Sequence, residues 1–225
     1  MKNSFLISGL IIIFFLTTSE EAEGQDKTNK SDFDIGLDFY SSFVWRGSSF
    51  GKGPHLQPAL EFTTGGLTMG VWGSFDFNGY SEADPHISYT FPFGLSLGLT
   101  DYYYTGLPFF ETSPNDGSHA FEINCNYVTG SLGLSANYIL NEAGGAGSDG
   151  GDVYFQIGYE FSRFNLFAGA GNGWHTTDGS FNLCNLGLGT EEKIELTEKF
   201  SLQLNGQIIF NPESENLYLT VGISF

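Results

Sequence analysis

Residues 216–225 alternate without a break: Leu217, Leu219, Val221, Ile223 and Phe225 take one side, and Tyr218, Thr220, Gly222 and Ser224 the other. An extended strand places successive side chains on opposite faces and advances about 3.4 Å per residue. Ten such residues therefore make a ribbon with one apolar and one polar surface, about as long as a thin bilayer is thick. A β-barrel standing in a membrane is built by repeating that ribbon. The competing reading is the edge strand of a soluble β-sandwich.

The other end of the chain fits the membrane reading. Lys2 precedes an apolar run from Phe5 to Leu16, followed by small and polar residues. That is the layout of a secretory signal peptide, and the run is shorter than the ~20 residues of a spanning helix. Ala22 and Gly24 suit a cleavage site, so residues 1–24 are expected to be the leader. Residues 25–32 then form a flexible periplasmic lead, and 33–225 a single barrel domain. No Cys follows the apolar run closely, so nothing there points to a lipid anchor.

Charge excludes one class of partner. The formal net charge is −18, and removing Lys2, Glu20, Glu21 and Glu23 with the leader leaves −16. A chain this acidic lacks the basic surface that nucleic acid requires. The chain holds 31 Gly, 23 Phe and 11 Tyr, yet its mean hydropathy is only −0.09. A wall that is apolar outside and polar inside produces that combination. Cys125 and Cys184 fall in predicted strands that are not neighbours; a disulfide needs Cα atoms within about 7 Å, so two free thiols are expected. Their spacing offers no metal site, and no cofactor is expected.

Turn residues divide the chain into twelve alternating segments: 33–45, 55–63, 67–77, 83–91, 94–104, 119–129, 131–141, 152–161, 163–174, 181–196, 200–210 and 216–225. Short connections, such as 64–66, 92–93, 129–130, 162–163 and 197–199, alternate with long ones at 46–54, 78–82, 105–118, 141–151 and 174–180. That alternation predicts an all-β, up-and-down antiparallel transmembrane barrel of about twelve strands, with short periplasmic turns and long outer loops. The link 141–151 carries five Gly and is expected to be mobile.

Period two also assigns facing. Phe33, Ile35, Leu37 and Phe39 point to lipid and Asp34, Gly36, Asp38 and Tyr40 inward. Leu67, Met69, Val71 and Phe75 oppose Thr68, Gly70, Trp72, Ser74 and Asp76. Val153, Phe155, Ile157, Tyr159 and Phe161 oppose Tyr154, Gln156, Gly158 and Glu160. The apolar parity changes between Leu183 and Leu186, which predicts a β-bulge near Cys184. Aromatics at strand ends, among them Phe43, Trp45, Phe75, Trp174 and Phe225, are expected at the membrane interfaces.

The same rule nominates a lumen lined by Arg46, Asp34, Asp38, Glu61, Trp72, Asp76, Asp84, Glu122 and Glu160. A guanidinium enclosed among carboxylates pairs with one or more of them. Two readings of Arg46 stay open. One is a charged constriction that sorts solutes by sign, and the other a salt bridge that plugs a closed barrel, since twelve strands lie between filled and open sizes. Glu111, Asp116, Asp149 and Asp152 in the outer loops are either solvated or a divalent-ion site.

Several stretches together carry a family resemblance. They are Tyr40-Ser41-Ser42-Phe43-Val44-Trp45-Arg46-Gly47, then Pro54, Gln57 and Pro58, Gly70-Val71-Trp72-Gly73-Ser74, Glu82-Ala83-Asp84, and Asp101-Tyr102-Tyr103-Tyr104. In that order they resemble the TorF-type porin family, over residues 40–104 only. The resemblance implies an outer-membrane barrel with a transport role. The final strand ending on Phe225 also resembles the signal by which bacterial outer-membrane barrels meet their assembly machinery.

The expected function is passive diffusion of small solutes through a polar, acidic lumen. The expected partners are membrane lipid, lipopolysaccharide, the assembly machinery and small solutes, with no nucleic acid. One alternative is a closed barrel with a structural or surface-interaction role. A barrel-type lipid hydrolase is the other; it needs a Ser and His paired on the lipid-facing rim. His55, His86, His119 and His175 lie near strand ends, but Ser88 and His86 share the lumen face, so no enzyme is expected.

Overall fold

The computed structural model describes residues 32–197 and 200–225. The expected leader and residues 25–31 of the expected lead lie outside them, while Asp32 already belongs to the first strand. Twelve antiparallel strands close into one barrel. They are β1 Asp32–Tyr40, β2 His55–Thr64, β3 Leu67–Asp76, β4 Ser81–Thr90, β5 Leu95–Tyr104 and β6 His119–Thr129, followed by β7 Leu132–Ile139, β8 Val153–Glu160, β9 Asn165–Gly171, β10 Asn182–Thr197, β11 Phe200–Asn211 and β12 Asn216–Ser224. Each pairs with the next in sequence, and β12 returns to β1. Closure leaves no free sheet edge except at rims and at poorly paired joins.

The two surfaces separate as period two requires. On β1, Phe33, Ile35, Leu37 and Phe39 are exposed while Tyr40 is buried. On β3, Met69, Val71 and Phe75 are exposed, and Trp72, Ser74 and Asp76 are buried. On β8, Phe155, Ile157 and Tyr159 are about half exposed, whereas Tyr154 is 2% exposed. The outer wall is thus an apolar belt around a polar interior, the reverse of a soluble protein. A single Lys or Arg at the midplane of such a belt would cost roughly 2–4 kcal/mol in lipid.

The bulge falls where the parity change places it. Gly169 pairs with Asn185 and Ala170 with Leu183, so Cys184 is the extra, unpaired residue. Inserting one residue lets Leu183 and Leu188 both face outward although their spacing is odd. Both cysteines are free.

Two expectations fail, each because a segment leaves the sheet. The first predicted strand, 33–45, stops at Tyr40; the chain then turns inward and Phe43–Trp45 pairs with Ser48–Phe50 as a separate small hairpin. The link 141–151, expected to be mobile, is folded: Glu142–Ala143 pairs with Ser148–Asp149 around a short 3-10 turn. Its glycines let backbone approach backbone. A Cβ on Gly144 would lie 2.0 Å from the Asn115 carbonyl oxygen. That approach seats Ala143 and Ala146 against Tyr102, Ala120 and Ile139, so small residues supply the order that bulky ones usually supply.

Candidate functional site: the plugged outer mouth

The inner hairpin, Phe43–Phe50, fills the outer half of the lumen. Its two turn residues, Arg46 and Gly47, both have positive φ, at 50° and 84°. That is the turn that matches the twist of a two-residue β-hairpin. Phe43 and Val44 are 3% and 2% exposed. The Phe43 ring lies 5.5 Å from those of His55 and Trp72. On the far side a Cβ on Gly47 would stand 1.9 Å from the Cys184 carbonyl oxygen, so only glycine fits. Asn211 Nδ2 donates to the Gly47 carbonyl at 3.1 Å. The hairpin therefore spans from the β2–β3 wall to the β10–β11 wall.

Arg46 stands at its tip and is held on every side. Nη1 and Nη2 donate to Glu122 Oε2 and Oε1 at 2.6 and 2.8 Å, a two-pronged pair. The guanidinium sits 4.4 Å from the Trp45 ring centre and 4.5 Å from that of Tyr154. Glu122 also accepts from Tyr102 Oη at 2.9 Å and Asn124 Nδ2 at 2.6 Å. The pair is buried, with side chains 11% and 1% exposed. In low dielectric such a pair needs further hydrogen bonds to offset its desolvation, and Glu122 receives two. His175, in the turn between β9 and β10, lies 3.5 Å from Nη1. Burial, then the adjacent Arg46 charge, holds its imidazole well below the usual 6.5.

The nominated carboxylates scatter. Asp34 is exposed and stands opposite Glu61 in register, and Asp38 and Glu160 are partly buried. Glu61 Oε1 lies 3.1 Å from His86 Nε2. Asp84 is 1% and Trp72 8% exposed inside the wall. Asp76 organises loops rather than facing a pathway: it accepts from the backbone N–H groups of Lys52, Asn78 and Tyr80 at 2.6–2.8 Å. Of the nominated acids, the ion pairs described join Arg46 to Glu122 alone.

Three interface aromatics are corrected. Phe43, Trp45 and Trp174 lie inside the mouth, where the Trp45 ring meets those of Tyr102, Trp174 and His175 at 5.4, 6.3 and 5.2 Å. Strand-end position suggested a membrane interface, but residues 41–50 turn inward after Tyr40 and the Gly173–His175 turn packs against them, so all three rings are interior. Phe75 and Phe225 are on the outer surface, 37% and 59% exposed.

Among the described residues no His and Ser are paired on the outer wall. His55 Nδ1 and Ser74 Oγ are 2.9 Å apart, but both residues are fully buried in the interior. His119 has outward parity but is buried, 6% exposed; its Nδ1 lies 2.9 Å from Asp101 Oδ2 and its Nε2 2.6 Å from the Phe109 carbonyl, so both nitrogens are engaged without a serine. Among the described residues no group of three or more His, Cys, Asp or Glu could hold a metal. A depression of about 560 Å³ on the outer wall, floored by Cys125, Ala136, Ala168 and Ala170, lies outside the lumen. Sequence reasoning missed His175, Tyr102 and Tyr154 as partners of Arg46. Inward parity flags Tyr102 and Tyr154, but no local signal marks His175.

The chain matches no protein-family model and no curated protein. Among solved structures it is similar to a mutant porin of Rh. blastica, with a TM-score of 0.41 and 10% identity over 87% of this chain and 99% of that one. It is also similar to OccK8 (OprE) of Pseudomonas aeruginosa, with a TM-score of 0.39 and 14% identity over 84% of this chain, spanning 62% of that protein's length. The assignment of this chain as a closed twelve-stranded antiparallel barrel rests on its own hydrogen-bonded ladder.

Proposed function

We propose that this chain is an outer-membrane barrel of porin type, exported through residues 1–24, whose polar and acidic lumen passes small solutes by diffusion once the Phe43–Phe50 hairpin yields. The observation that carries the reading is the inversion of the wall, an apolar belt outside and buried polar side chains inside. Water-soluble sandwiches bury the apolar face instead. The TorF-type resemblance points the same way. Membrane lipid and lipopolysaccharide would surround the belt, and the strand ending at Phe225 would meet the assembly machinery. The chemistry calls for no cofactor and no covalent step.

The hairpin makes the resting state a closed one. Its attachment within the lumen runs through side-chain contacts and the turn, not through the barrel ladder. Loosening it is therefore the way to open a path without unfolding the wall. Excess carboxylate favours cations or neutral solutes over anions. Single-channel recording of the refolded barrel in a planar bilayer tests this. Wild type should be mostly closed, Arg46→Ala should conduct, and reversal potentials should show cation preference. A second reading, a barrel that never conducts, is favoured by the buried interior itself. It prevails if neither protein conducts.

A further inference from the structure

Two buried acids beneath the plug have no counter-charge. Glu82 and Asp84, two positions apart on the inward face of β4, are 7% and 1% exposed. Among the described residues the salt bridges join Arg46 to Glu122, His86 to Glu61 and His119 to Asp101, and none reaches either acid. Glu82 accepts from Tyr80 Oη, and Asp84 from the Tyr103 backbone N–H. The other Asp84 oxygen, Oδ1, is buried and receives no donor. Ionising both carboxyls would set two like charges side by side in low dielectric, which is strongly unfavourable.

The two groups are also hydrogen-bonded to each other. An ionised carboxylate only accepts, so a bond between two carboxyls needs a proton on one of them. The surroundings offer no substitute for it. On β3, Ser74 and Trp72 stand opposite Glu82 and Asp84, His55 Nδ1 lies 2.9 Å from Ser74 Oγ, and Asp76 is engaged by the N–H groups of Lys52, Asn78 and Tyr80. On β5, Tyr104 stands opposite Glu82 and is hydrogen-bonded to Tyr80, Tyr102 donates to Glu122, and Asp101 meets His119 on the outer face. His86, next on the inward face of β4, has its ring nitrogens at Glu61 and at the Asp84 backbone carbonyl. The Arg46 guanidinium of the plug is held by Glu122.

We propose that Glu82 and Asp84 share one proton and that this proton keeps the plug seated. Tyr80, whose hydroxyl is on Glu82, has its ring 6.1 Å from that of Phe43 and 6.0 Å from that of Phe50. Trp72, opposite Asp84, has its ring 5.5 Å from that of Phe43. The hairpin therefore rests on the two aromatic side chains that roof the acids. When the shared O–H bond breaks, its proton passes to a base in the outer solution and two adjacent carboxylates remain. Hydration relieves them, and water reaches them by lifting Tyr80 and the hairpin above it. The seated state thus binds one more proton than the lifted one, so raising the pH draws the plug outward. The inference rests on the closed resting state proposed above and not on conduction.

Infrared difference spectra of the full barrel in phospholipid nanodiscs, taken between about pH 6 and 9, test the proton. Wild type should lose one protonated-carboxyl C=O band as the pH rises. Asp84→Asn and Glu82→Gln should each lack that band throughout, because the new amide donates to the acid that remains. Persistence in one variant would assign the proton to a single residue, and absence from wild type would mean that both acids are ionised; either result overturns the proposal. Amide exchange across Phe43–Phe50, corrected for intrinsic rates, tests the plug. Protection should fall roughly tenfold over the same pH range in wild type and stay constant in Asp84→Asn. Equal loss in the two proteins, or no loss in wild type, would detach the plug from the pair and overturn its role as a lock. Solute passage enters neither readout, so failure of the diffusion reading is a separate result.

Discussion

The inserted hairpin and the barrel wall fill the lumen in different ways. The outer half holds a loop that has folded in from outside, fixed by one buried ion pair and stacked rings around Arg46. The wall around its tip holds short side chains linked strand to strand, with Thr100 opposite Glu122 in register. Thr100 Oγ1 donates to Asn124 Oδ1 at 2.8 Å, Asn124 Nδ2 to Asn137 Oδ1 at 3.1 Å, and Asn205 Nδ2 to Ser224 Oγ at 2.9 Å. Groups hung from the ladder cannot leave without unfolding the barrel. A hairpin secured by side chains can, so on the function proposed above the hairpin, not the wall, would control the lumen.

Removing the ion pair should break that contrast most severely. Arg46→Ala leaves Glu122, 1% exposed, as a buried charge without its partner. The loss should be about 3–5 kcal/mol in the urea stability of the bilayer-inserted barrel, with conductance appearing alongside. An unchanged urea midpoint together with unchanged conductance would show that hairpin and wall do not differ in the way described. Gly47→Ala comes next. Its Cβ meets the Cys184 carbonyl, and its φ of 84° is unfavourable for any L side chain. A cost of roughly 1–3 kcal/mol is expected, again with partial opening, readable by the same two measurements.

The wall network should respond weakly. Thr100→Val removes one hydrogen bond while Asn124 keeps its bonds to Glu122 and Asn137. About 1 kcal/mol of stability should go, and conductance should stay as in wild type. A channel opened by this substitution would place the barrier lower than the hairpin. The smallest effect concerns pH. Above 6.5 the His175 ring is neutral in both folded and unfolded chains. Below 6.5 the unfolded ring takes up a proton that the buried folded ring, beside Arg46, refuses, so stability falls as pH drops from 6.5 toward the folded value. In His175→Phe the fall in urea midpoint between about pH 7.5 and 5.5 should be shallower.

Arg46 shows how far the site could be read in advance. Its inward direction and its need for a carboxylate partner follow from residue type and position. Glu122 as that partner does not, because it stands 76 positions away and several other acids have the same parity. Only the order in which strands close round the barrel brings β6 under the hairpin tip. Phe43, Trp45 and Trp174 teach the complementary lesson: an aromatic near the end of a segment has the same sequence appearance whether that segment reaches the membrane surface or turns into the lumen.

Alternation and turn residues determined that this chain has two unlike surfaces, about twelve barrel strands and a bulge near Cys184. Each of these depends on neighbours one or two positions apart, where the pleat leaves no choice. Tertiary structure decided that residues 43–50 plug the mouth and that the glycine-rich link 141–151 is ordered. Those outcomes depend on which distant walls stand close enough to receive a departing segment. Period two says which way a side chain points within a sheet; it carries no information on where the backbone goes once it leaves.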